Sequence, residues 1–208
     1  MAALADLLPL VRTQRKDQDQ TVLSAALLAF LDFGIKRTSM GEVARRGGLS
    51  LATLYRRFAG KTDLIQAVGL QQTREFIDGV DAAVQRQIER DAGAEDQIVE
   101  LFVAFLAGLR SNKLLDRLLQ TEPEVVLPYL TVKGAPVIEL GRDYVAEFIT
   151  RLQREGKLPD YDPLPLAEMI ARTALSLALT PQTVIPLDDD AAAREFARDH
   201  VVVSFRIP

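Results

Sequence analysis

Apolar positions recur at helical spacing through almost the whole chain. From Thr21 onward, Val22, Leu23, Ala26, Leu27, Phe30 and Phe33 step along one helix face, and Gly34 offers a stop. Ser39-Met40-Gly41-Glu42 has the form of a capping box, in which the serine hydroxyl accepts the third amide and the glutamate reaches back to the serine amide. It predicts a short helix from Met40 to about Arg46, with Val43 and Ala44 inward and Gly47-Gly48 as its end. Ser50 then caps a second short helix, Leu51 to about Arg57. Lys61 or Thr62 opens a longer helix through Leu64, Ile65, Val68, Phe76 and Val80.

The same periodicity predicts helices over Glu95–Leu109, Asn112–Leu119, Pro136 to about Glu155, Asp162–Leu179 and Asp188 to about Val203. Thr121-Glu122-Pro123-Glu124 starts one more, with proline where its missing N–H does no harm. There is no convincing alternating strand pattern and no solenoid repeat. The expected architecture is all-α, about nine or ten helices.

Composition narrows the chemistry. The 208 residues are 48% hydrophobic and 26% charged, enough to bury a sizeable core. There is no cysteine, which removes disulfides, thiolate metal sites and cysteine nucleophiles. His200 is the sole histidine. An enzyme would have to be built on it with Asp199 or Glu195, and no nucleophile motif, P-loop or dinucleotide fingerprint accompanies it. No catalytic residue, cofactor or metal is therefore expected. The uncharged run Thr173–Leu187 is short and broken by Pro181 and Pro186, so no membrane span is expected. The opening MAALADLLPL has no basic residue before its apolar run and reads as a short helix or tail of a cytoplasmic protein, not a leader.

Net charge is −4, unevenly spread: residues 1–66 carry +4 and the remainder −8. A basic head on an acidic body suits one end to phosphate. Within that head, two short capped helices joined by glycines are what a helix-turn-helix needs. Ala44 is small enough for the helices to cross closely, Gly48 tolerates positive φ in the turn, and Leu49 and Leu54 anchor the second helix. Leu51, Ala52, Thr53, Tyr55, Arg56 and Arg57 are left for its outer face.

The stretch TVLSAALLAFLDFGIKRTSMGEVARRGGLSLATLYRRFAGKTDLI resembles the DNA-binding domain of the tetracycline-repressor (TetR) family. The likeness runs from about Thr21 to Val68 and rests on T-S-x-x-x-V-A, G-L-S-x-x-T-L-Y-x-x-F and x-x-K-x-x-L. It implies an N-terminal three-helix DNA-binding domain, residues 1–66, and a larger helical ligand-binding and dimerisation domain, residues 67–208. It also implies that the helix from Leu51 lies in the major groove of a palindromic operator. Leu51, Ala52 and Thr53 would face base edges, with Ser50 at the helix start. Tyr55 and Lys61 match the family's phosphate contacts, and Thr38 and Ser39 sit where the family touches backbone. Leu51 and Ala52 offer only apolar contacts, which shifts weight to Arg56, Arg57 or DNA shape. Arg12, Arg15 and Lys16 are either a minor-groove arm or a solvated tail.

The family further implies a homodimer, through the helices near 136–155 and 188–203, with stripes Val137, Leu140, Tyr144, Phe148, Leu152 and Phe196, Val201, Val203. It implies an unknown small-molecule effector that releases a repressor from its operator. Candidate lining residues are Phe102, Phe105, Leu109, Leu118, Tyr129, Phe148, Met169, Arg172, Thr173 and Ser176. Arg172 meets either an anionic ligand or Glu168 one turn back. Two readings stand beside this one: a regulator of the same fold without a ligand, and a helical interaction protein whose head has lost DNA binding.

Overall fold

The structure is a computed structural model and describes residues 20–186 and 188–206. Arg12, Arg15, Lys16 and the opening decapeptide lie outside the described residues. In chain order the helices are α1 (Gln20–Arg37), α2 (Met40–Arg46), α3 (Leu51–Arg57), α4 (Lys61–Ile88) and α5 (Ala94–Ser111). They continue as α6 (Lys113–Thr121), α7 (Pro123–Leu130), α8 (Ala135–Arg154), α9 (Pro163–Leu179) and α10 (Asp190–Phe196). A π turn (Ala197–Val201) and a 3₁₀ turn (Val202–Phe205) extend α10. No strand occurs among the described residues, so the all-α expectation holds.

Compactness divides the described chain into residues 20–75 with 112–131, and residues 76–111 with 132–206. The expected boundary at 66/67 differs from this division for a reason of packing. Leu114 and Leu118 of α6 are buried in one cluster with Val22, Ala26, Phe30, Val43, Leu54, Leu64 and Val68. That cluster is the core of the first unit, and it recruits α6 and α7 although they are remote in sequence.

Within this unit α1 kinks at Gly34, whose φ of 79° and ψ of 164° are foreign to a helix, and runs on to Arg37. The expected stop is thus a bend. Gly48, at φ 65°, supplies the turn between α2 and α3. The Leu49 N–H closes back on the Ala44 carbonyl at 2.9 Å. Leu54 is completely buried, and so fixes which side of α3 faces out.

The second unit is centred on Val80, Ile98, Leu101, Ile149, Leu152, Ala167, Ala197 and Phe205. Phe148 and Leu152, expected on a dimer stripe, are in this core, with the Phe148 ring edge-on to Phe205 at 6.3 Å. Phe196 stacks on Phe102 at 5.9 Å. Ala193, Ala197, Val202 and Phe205 are buried in their own unit, whereas of the expected stripe Phe196 and Val201 are half-buried and Val203 is exposed. Period alone cannot tell a core stripe from an interface stripe.

Candidate nucleic-acid interface

The reading head is built by its caps. The Ser39 Oγ accepts the Glu42 N–H at 3.2 Å and starts α2. Glu42 does not complete the expected box. Its carboxylate is taken by Arg45 at 2.8 Å and Arg46 at 2.7 Å, because charged donors on its own helix outbid one neutral amide. Those arginines hold the Glu42 carboxyl below its ordinary range. Arg46 also pairs with Asp32 at 2.7 Å and covers the Phe33 ring at 5.0 Å, so it is engaged within the head. Ser50 Oγ accepts the Thr53 N–H at 3.1 Å and shares a hydrogen bond with Thr53 Oγ1 at 2.9 Å, which starts α3.

Opposite buried Leu54, α3 presents Leu51 (46% exposed), Ala52, Tyr55 (49% exposed), Arg56 and Arg57 to solvent, while Thr53 is half-buried. An apolar side chain and a tyrosine held in water on a seven-residue helix have no folding use there. They put apolar, hydroxyl and guanidinium groups on one exposed helix, the kinds of group that contact base edges and phosphates. Lys61, at the start of α4, sends its Nζ to the Lys36 carbonyl at 2.9 Å. Thr38 differs from the expectation. It is 3% exposed, and its Oγ1 donates to Gly34 O at 2.7 Å or Ala29 O at 3.1 Å. These α1 carbonyls engage it, so only Ser39 of that pair faces solvent.

The ten candidate ligand residues are not brought together. Phe102, Phe105 and Leu109 are half-buried on α5, with Phe105 edge-on to Phe76 at 5.3 Å. Phe148 is core, and Leu118 belongs to the core of the other unit. Tyr129 lies exposed on α7. Met169, Arg172, Thr173 and Ser176 all fall on the exposed side of α9, where Arg172 pairs with Glu168 at 2.7 Å. His200 is exposed beside the Phe196 ring. Among the described residues no group of three or more His, Asp or Glu could hold a metal ion, and no helix is long and apolar enough to cross a membrane.

The sequence reading missed Glu122, a buried carboxylate that accepts the Ile35 N–H at 2.7 Å. Its only signal was a glutamate before a helix-starting proline, which says nothing of a partner 87 residues away.

Known proteins agree with this geometry. The family described as "Bacterial regulatory proteins, tetR family" matches residues 22–68, and "Bacterial Tetracyclin repressor, C-terminal domain" matches residues 93–198. An uncharacterized HTH-type transcriptional regulator of Mycobacterium bovis is 27% identical over 178 residues, 86% of this chain and 89% of that protein. Among solved structures, the TetR-family repressor AlkX from Dietzia, implicated in biodegradation of n-alkanes, has a TM-score of 0.64 at 23% identity, over 88% of this chain and 96% of its own. FadR from Thermus thermophilus, a TetR-family repressor solved in complex with lauroyl-CoA, has a TM-score of 0.59 at 20% identity, over 92% and 96%. With both of its parts matched, this chain belongs to the tetracycline-repressor family of DNA-binding transcriptional regulators.

Proposed function

We propose that the chain is a homodimeric repressor that reads a palindromic operator with α3 and is released by a small apolar effector. The observation that carries the DNA reading is the outer face of α3, where Leu51, Ala52, Tyr55, Arg56 and Arg57 stand in solvent while Leu54 alone is buried. In this reading Leu51 and Ala52 meet base edges through apolar contact, Arg56 and Arg57 supply the charged contacts, and Ser39, Tyr55 and Lys61 hold phosphates. Thr38 acts behind them by closing α1.

One recognition helix makes few contacts, so two copies are needed. We put the dimer face on α8 and α9. The last helix buries Ala193, Ala197, Val202 and Phe205 within its own unit and leaves Val203 exposed, while α8 and α9 leave Val137, Leu164 and Met169 exposed. The effector response is proposed from the match to the family's C-terminal domain, and a neighbour solved in complex with lauroyl-CoA makes acyl compounds the first to try. Selection of bound duplexes from random DNA tests the reading. The expected product is two inverted half-sites about 34–36 Å apart, or a multiple of that. Recovery of unenriched random sequence would sink it.

A further inference from the structure

Glu122 is the sole buried acidic side chain among the described residues, 8% exposed, and it sits between α6 and α7. Its Oε2 accepts the Ile35 N–H at 2.7 Å and the Lys36 N–H at 3.3 Å, and its Oε1 accepts the Lys36 N–H at 3.1 Å. These are the amides that the Gly34 kink strips of helical partners. The carboxylate stands in the bend: a Cβ on Gly34 would lie 2.6 Å from Glu122 Oε1. Two residues on, Glu124 pairs with Lys36 from the same side.

The stretch of backbone held in this way, Gly34 to Lys36, is itself a seat. The Lys36 carbonyl receives the Lys61 ammonium at 2.9 Å. The Gly34 carbonyl receives Thr38 Oγ1 at 2.7 Å, and Thr38 is followed directly by Ser39, the cap of α2. Of the proposed phosphate contacts, Lys61 is therefore one hydrogen bond from the backbone that Glu122 grips, and Ser39 is one hydrogen bond and one residue from it. Joining α6 to α1 needs no charge here. Leu114 and Leu118 already do so by burial, and a desolvated carboxylate is an expensive way to fill space. What a carboxylate adds is direction, because it fixes where the 35–36 peptide lies.

We infer that Glu122 is a positioning residue for DNA binding: it holds the kinked end of α1 so that Lys61 and the start of α2 meet the phosphate backbone in register. This rests on the DNA-reading role proposed for the head. Glu122→Gln keeps the shape but sets an amide donor against the Lys36 N–H. Glu122→Asp keeps the charge but shortens the reach. Binding to the selected duplex, its salt dependence and thermal unfolding are measured for each, alone and combined with Lys61→Ala.

The expected result is a loss of about tenfold in affinity and a shallower salt dependence for Glu122→Gln, with Glu122→Asp between it and the parent. In the Lys61→Ala background, either change should cost less than about threefold, because the contact it positions is already gone. Independent, multiplying losses would reduce Glu122 to a structural role and overturn the inference. Parental affinity in a folded Glu122→Gln protein would do the same. If the parent protein binds no duplex, the DNA-reading role fails first, and that failure is visible before any variant is made.

Discussion

A single side chain decides which face of α3 is available. Leu54 is 0% exposed and sits in a cluster with Val22, Phe30, Val43 and Leu64. Leu54→Ala removes its buried methyl groups and opens a cavity between α1, α2 and α3. The expected cost is about 2–5 kcal/mol in unfolding free energy, read by chemical denaturation, together with loss of DNA binding. A cost no larger than that of a surface change would mean that α3 is not anchored there. Ser39 and Ser50 were recognisable as caps because an N-cap is a local chemical event that needs only the next three residues. Glu42 was half legible. Its place in the box was visible, but the competition from Arg45 and Arg46 depends on which rotamers the packed head allows. Thr38 was taken for a surface hydroxyl because nothing local reveals that α1 bends at Gly34 and brings the Ala29 and Gly34 carbonyls within its reach.

Among elements, two junctions carry testable consequences. The first is electrostatic. Arg45 and Arg46 hold Glu42, and Lys36 holds Glu124, below the ordinary glutamate range. A depressed carboxyl stabilises the fold at neutral pH, and the contribution is lost as pH falls through the folded value. Melting temperature should therefore fall more steeply below about pH 5 in the parent than in a Glu42→Gln, Glu124→Gln double variant. Parallel curves would contradict the assignment. The second is steric. At Gly108 on α5 a Cβ would lie 2.5 Å from the Phe76 ring, which itself packs edge-on to Phe105. Gly108→Ala should overpack this contact and cost about 1–3 kcal/mol, measured as a lowered denaturation midpoint, despite alanine's better helix propensity. A raised midpoint would show that propensity wins. Helix existence was readable throughout because 3.6-residue periodicity and caps are local. The destination of each apolar stripe was not: Phe148, Leu152 and Phe196 have the same spacing whether they meet their own core or another chain.

At the scale of the whole molecule, the account needs two reading heads. If α8 and α9 carry the dimer face, Leu164→Glu with Met169→Glu should yield a folded monomer by sedimentation, since both side chains are exposed in the single chain and burying new carboxylates against a partner is costly. A dimer that survives both changes would move the interface elsewhere. Removal of the last helix does not test this point, because Ala193, Ala197, Val202 and Phe205 belong to the core of their unit and their loss threatens folding itself. The most direct measurement of the central claim is the salt dependence of binding to the selected duplex. With Arg56, Arg57 and Lys61 on each of two copies meeting DNA, the slope of log K against log salt concentration should be about −5.4. It should become shallower by about a third, to about −3.6, when Lys61→Ala is introduced. A slope near zero that Lys61→Ala leaves unchanged would contradict the claim that this head meets the backbone of duplex DNA.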